Sequence, residues 1–179
     1  NAVFDANGGY FDGDTTVTTK TVPTDYDATI AVPAAPEKPG YTFNGWNPTP
    51  ATMNDVTGLT FTAKRIADTD TTYTVETYTM GTDGQYVMTS EKKTGTTDAV
   101  VNVKPATVAE GFALNDEKSV YEGTVAADNS LVLKVYIDRI SYTFKTVVDG
   151  VETSTAYLYG ATIVAPTDPA KTGYTFAGW

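Results

Sequence analysis

The 179-residue sequence predicts a mainly β fold made of tandem small sheet modules, with at most short helical turns. Two observations carry this reading. Thr fills about one position in five, and Val and Tyr are frequent, side chains that fit a pleated, half-buried surface. Long Leu-Ala-Glu-Lys runs at helical spacing are missing. The second observation is an internal repeat: Tyr26 to Trp46 returns without a gap as Tyr159 to Trp179, identical at 13 of 21 positions. Self-similarity on that scale marks a chain of serial modules.

The pattern divides the chain into residues 1–70, a middle module at 71–140, and an incomplete second copy of the first module at 141–179. The first boundary falls in the polar stretch Ala67-Asp-Thr-Asp-Thr-Thr72, which has no apolar periodicity. The second joint is short, because strand-like Leu131 to Ile137 leads almost directly into Tyr142 to Val148. A module of this size buries only about 60% of its unfolded surface, so neighbouring modules are expected to support one another.

Within the first module, Val3 to Asp5 reads as a strand entering a turn at Asn7-Gly8, where positive φ angles are needed. The counterpart in the second copy is Tyr142 to Val148, a turn at Asp149-Gly150, and Val151 to Tyr157. Pro33, Pro36 and Pro39 break any central strand or helix and favour an extended crossing segment. In Gly40-Tyr-Thr-Phe-Asn-Gly-Trp46, Tyr41 and Phe43 share a strand face, but Trp46 lies three residues beyond Phe43 and would point away. A bulge at Asn44-Gly45 corrects the phase, so that Phe43 with Trp46, and Phe176 with Trp179, are expected in a core. The structural motif is thus Gly40, Tyr41, Phe43, Gly45 and Trp46, repeated as Gly173, Tyr174, Phe176, Gly178 and Trp179.

In the middle module, Tyr73 to Met80 and Gln85 to Glu91 flank a hairpin turn at Gly81-Thr-Asp-Gly84. Leu131, Leu133, Val135 and Ile137 alternate along a further strand. Pro105 to Glu110 predicts one helical turn, opened by the proline and closed at Gly111. The second copy stops at Trp179, whereas the first continues into another strand, Leu59 to Lys64. The second copy is therefore expected to expose an edge that pairs with another chain in a crystal.

Composition narrows function. A net charge of -10 and a pI near 4.3 repel a phosphate backbone, and no cationic run offsets this, so nucleic acid is not an expected partner. The sequence has no Cys and no His, which removes thiolate and imidazole nucleophiles, soft metal sites and disulfides. Neither a membrane-spanning apolar run nor a signal peptide is visible, as expected of an internal segment.

Val3-Phe-Asp-Ala-Asn-Gly-Gly9, Ile30 to Pro36 and Gly40 to Trp46, together with Ala161 to Pro166 and Gly173 to Trp179, resemble the Listeria-Bacteroides repeat family, the internalin B-repeat type. The middle module, through Tyr73 to Tyr78, Gly111 to Leu114 and Asn129 to Tyr136, is more loosely similar to mucin-binding-type repeats of bacterial adhesins. The resemblance implies β-grasp-like (ubiquitin-like) sheet units strung along an extracellular bacterial surface protein, attached to the cell wall through regions outside this segment. It implies a stalk or spacer, with adhesion to a host glycan or surface protein as a further role centred on residues 71–140, and neighbouring repeats as partners.

Candidate sites are few. Asp5, Asn7, Asp12 and Asp14 cluster near glycines, but their spacing departs from a calcium loop and reads as turn chemistry; no metal and no cofactor is expected. Lys20, Lys104, Lys134 and Lys145 lie in or near strands, where an isopeptide crosslink is weighed against ordinary exposed lysine and the latter preferred. Tyr10, Tyr86 and Tyr121 are the candidate contact residues, free of the repeated motif. Asp116, Glu117 and Glu122 single out no acid-base pair, so an enzyme is not expected.

Overall fold

The computed structural model describes all 179 residues and is all β, with no helix. Strands β1 (Ala2–Asp5), β2 (Thr19–Val22), β3 (Tyr41–Asn47) and β4 (Leu59–Ala67) form a sheet in the order β2-β1-β4-β3. The Asn7-Gly8 turn, with φ of 50° and 74°, reverses the chain after β1. β1 then pairs antiparallel with β2, Ala2 opposite Val22, and parallel with β4, Phe4 opposite Phe61. A parallel pair needs a crossover, and the proline-rich segment after β2 supplies it in extended form. Its Ile30 is buried and its backbone is tied to residues 51 and 53 by Ile30 N–H to the Ala51 carbonyl and Met53 N–H to the Ala28 carbonyl, both 2.9 Å.

The core of this sheet is aromatic. Phe4 stacks on Phe61 at 5.1 Å and meets the edge of Trp46 at 4.9 Å, and Phe11 and Met53 close the sides almost fully buried. Edge-on and offset ring contacts of this kind stabilise beyond the area they bury.

Strands β5 (Thr71–Met80), β6 (Tyr86–Gly95), β8 (Phe112–Leu114) and β10 (Val132–Arg139) form a second sheet in the order β6-β5-β10-β8, while β7 (Val100–Asn102) pairs antiparallel with β9 (Glu122–Thr124). β11 (Ser141–Val148) and β12 (Val151–Leu158) form a hairpin paired from Ser141 opposite Leu158 to Val148 opposite Val151. The chain makes two compact units: one of Asn1–Thr74, Lys92–Asn102 and Glu122–Val132, the other of Val75–Glu91, Val103–Tyr121 and Leu133–Trp179.

Two expectations are corrected. Residues 105–111 form no helical turn; the stretch is extended, with a bend at Ala106 and a single turn bond from Phe112 N–H to the Ala109 carbonyl at 3.1 Å. A lone helical turn costs more backbone freedom than its one bond returns. Here Thr107 and Val108 instead face Phe112 and Ile137 around a cavity of about 330 Å³. The second correction concerns Trp179, which is 56% exposed rather than part of a core. Phe176 and the residues around Phe144 and Ile163 cover part of the ring and leave the rest in solvent.

Candidate functional site

The repeated heptapeptide forms β3 in the first copy, and its register against β4 shifts between Phe43 and Trp46. Gly45 sits at the shift with φ of 86°, a left-handed conformation that costs an L side chain about 1–2 kcal/mol. The bulge turns Trp46 onto the face of Phe43: the rings lie 5.2 Å apart at 64°, and Trp46 is only 6% exposed. Gly40 serves another purpose, because a Cβ there would fall 2.7 Å from Thr97 Oγ1 and 2.8 Å from Ala127 Cβ. The backbone of the first module approaches residues of the 92–132 region too closely for any side chain.

In the second copy, residues 174–179 form no ladder. Phe176 and Trp179 nevertheless lie 5.5 Å apart at 64°. Lys38 and its equivalent Lys171 also recur over the repeated tyrosine, at 4.4 Å from the Tyr41 ring centroid and 5.4 Å from that of Tyr174, within cation-π range.

Tyr10, Tyr86 and Tyr121 are all half-buried and occupy three separate places. Tyr10 exchanges two backbone bonds with Glu37 and lines a shallow groove of about 430 Å³ with Lys38, Tyr41, Phe43 and Asp68. The Tyr41 hydroxyl donates to Asp98, and that bond, the largest influence, raises the phenol above its ordinary value. Tyr121 donates to Asp116 at 2.9 Å and lies under Lys104, which pairs with the same carboxylate at 3.0 Å. The bonds from Lys104 and then Tyr121 hold Asp116 below the usual carboxylate range.

Tyr86 belongs to the richest cluster. Its ring meets Tyr136 edge-on at 5.1 Å, and Tyr136 stacks on Tyr78 at 4.4 Å and 4°. The Tyr86 hydroxyl donates to Asp138, which also accepts from Asn115 at 2.7 Å, and Lys118 Nζ donates to Tyr86 at 3.1 Å. Tyr78 donates to Glu76 at 2.8 Å, and that bond, with burial, pushes its phenol up to about 12. Tyr78 and Tyr136 are placed on strands by the sequence but not among the candidate contacts, although each sits two residues along an alternating strand from a residue of the same face.

The carboxylates near the first turn are committed locally: Asp5 accepts from Asn7 N–H at 2.7 Å, Asp14 from Thr16 N–H at 2.9 Å, and Asp12 pairs with Lys20. Lys134 and Lys145 lie in ion pairs with Glu76 and Glu152. Arg65, which the sequence reading passed over, is the least expected group. From β4 its guanidinium donates to the Ala6 carbonyl at 2.7 Å and the Pro36 carbonyl at 3.2 Å, with Glu37 O at 3.5 Å. Burial lowers its pKa.

The model of the Listeria-Bacteroides repeat domain matches residues 1–94 and 141–179. The chain belongs to the Listeria-Bacteroides repeat family. The match spans both copies of the heptapeptide and continues past β4 into β5 and β6. This repeat family is typical of bacterial surface proteins. No helix is long and apolar enough to cross a membrane.

Proposed function

We propose that this chain is a non-catalytic repeat segment of a bacterial cell-surface protein, organised as modules 1–70, 71–140 and 141–179, which acts as a spacer and carries adhesive contacts on half-exposed tyrosines. The recurrence of one ring pair, at nearly the same separation and angle in both copies, is the observation that carries it. Selection for a repeated framework rather than for one pocket is what a spacer needs. A β-grasp-like module is supported by the order β2-β1-β4-β3 around a parallel central pair, with a proline-rich crossover where that fold has a helix. The test is surface display of one, two and three tandem copies between an anchor and an epitope. Epitope height above the wall should grow in equal steps; a height independent of copy number overturns the reading.

A second reading, a glycan- or host-protein-binding module centred on residues 71–140, is favoured by Tyr78, Tyr86 and Tyr136 with Glu76 and Asp138 beside them. Half-buried tyrosines edged by carboxylates offer a stacking face and acceptors for hydroxyl groups. Glycan-array binding that is saturable, and lost in Tyr86→Ala, would support it; binding indifferent to Tyr86→Ala and to Tyr136→Ala would end it.

A further inference from the structure

The groove beside Tyr10 has walls that the backbone fixes one by one. Tyr10 and Glu37 exchange two backbone bonds, of 2.9 and 2.8 Å, and residues directly opposite in an antiparallel pair send their side chains to the same side. Next along the chain, Lys38-Pro-Gly-Tyr41 is closed by a bond from Tyr41 N–H to the Lys38 carbonyl at 3.1 Å, with Gly40 at φ of 74°. Proline followed by a glycine of positive φ is the signature of a type II turn, and the turn carries Lys38 over the Tyr41 ring. Tyr41 and Phe43 enter the groove from one strand face. On the remaining side, Asp68 N–H donates to the Gly40 carbonyl at 2.9 Å, and its carboxylate accepts from Thr42 Oγ1 at 2.7 Å.

The result is a set of half-buried aromatic rings beside two carboxylates and one ammonium group, around a space of about 430 Å³. That volume lies in the range of small-ligand sites, and walls already held in place lose little freedom when a ligand arrives. A pyranose ring has an apolar C–H face that suits an aromatic ring and hydroxyl groups that donate to carboxylates. Charge narrows the class of sugar. Glu37 and Asp68 outnumber Lys38 in a protein of net charge -10, so an anionic saccharide meets repulsion there. The second copy keeps Lys171, Tyr174 and Phe176 but has Ala170 at the position of Glu37, and so lacks that acceptor.

We propose that this groove of the first module binds an uncharged saccharide, with one pyranose ring against Tyr10 and its hydroxyl groups donating to Glu37 and Asp68. The site rests on the adhesive reading of half-exposed tyrosines given above, to which it adds a place in residues 1–70 and a ligand class.

The experiment titrates the isotope-labelled 179-residue protein with N,N′-diacetylchitobiose, with lactose and with 3′-sialyllactose, and follows the backbone amide resonances. Saturable shifts at Tyr10, Glu37 to Tyr41 and Asp68 are expected with at least one of the uncharged disaccharides, and binding about tenfold or more weaker with 3′-sialyllactose. Which disaccharide binds separates the sources, an amino-sugar polymer of a cell wall or a galactoside of a host surface. Glu37→Ala, which copies the second block at an exposed position, should weaken binding about tenfold. Tyr10→Ala, which keeps the backbone bonds to Glu37, should weaken it by about threefold to tenfold. Binding of neither disaccharide, tighter binding of 3′-sialyllactose, or affinity unchanged in both variants overturns the proposal. Shifts confined to Tyr78, Tyr86 and Tyr136 overturn it as well, and leave the adhesive reading standing on the middle module.

Discussion

The two copies of the repeated block share their rings but not their surroundings. Phe43 and Trp46 lie 5.2 Å apart and Phe176 and Trp179 5.5 Å apart, both at 64°. Yet Trp46 is 6% exposed and Trp179 56%. The heptapeptide arranges its own ring pair through local backbone geometry; burial of that pair comes from β4 and the hairpin across it. Local sequence thus sets the ring pair, and long-range pairing builds the strand and gives it its energy, because apolar stabilisation scales with the area withdrawn from water.

The sharpest way to break this comparison is to truncate both tryptophans. Trp46→Ala should destabilise the first unit by about 3–5 kcal/mol, while Trp179→Ala, on a ring more than half exposed, should stay within about 0.5 kcal/mol. Urea unfolding monitored by amide exchange at Phe4 and Phe61 measures the first, and the near-identity of wild type and Trp179→Ala measures the second. Equal effects would mean that the second copy is packed after all.

Arg65→Met keeps the aliphatic stem but removes the guanidinium from the carbonyls of Ala6, Pro36 and Glu37, of which Ala6 and Glu37 keep the backbone bonds from Gly9 and Tyr10. A loss of about 1–2 kcal/mol follows from the lost charge-assisted bonds, read in the same urea titration. Gly45→Ala forces a side chain into a left-handed position and should cost about 1–2 kcal/mol. Gly178→Ala, where no ladder holds the backbone, should cost far less, and a double comparison of the four variants locates the bulge's contribution.

The smallest effect concerns proton binding. The Asp98 hydrogen bond raises the Tyr41 phenol, so the neutral form is favoured in the folded state. Its contribution is fully present below the ordinary tyrosine value and is lost as pH rises through the elevated one. Ultraviolet titration should show Tyr41 ionising earlier in Asp98→Asn. Tyr78, pushed up to about 12 by Glu76, should move down likewise in Glu76→Gln.

Much of the fold was legible where the signal is local. Asn7-Gly8, Asp149-Gly150 and Gly81 to Gly84 each mark a turn between paired strands, since left-handed backbone is written in residue type. The phase error between Phe43 and Trp46 announced the bulge for the same reason. What composition could not convey is which strand lies beside which: β1 meets β4 across more than fifty intervening residues, and Arg65 finds its carbonyls only after that pairing exists. The helical turn expected at Pro105 fails by the converse rule, since a few favourable residues cannot outweigh an apolar cavity that Thr107 and Val108 can line instead. Of the candidate contacts, Tyr86 stands in an extended aromatic cluster, but its companions Tyr78 and Tyr136 are assembled by sheet order and not by spacing.

The acceptors around Arg65 are all main-chain carbonyls, and none carries a formal charge. Brine weakens attraction between exposed ions far more than it weakens a short bond from a sheltered cation to a dipole. Beside the turn of the second copy, Lys171 and Asp149 form an exposed ion pair at 2.7 Å. Rising salinity should therefore weaken the Lys171–Asp149 pair and leave the Arg65 contacts nearly unchanged, so that the twin blocks become more unlike as salt is added.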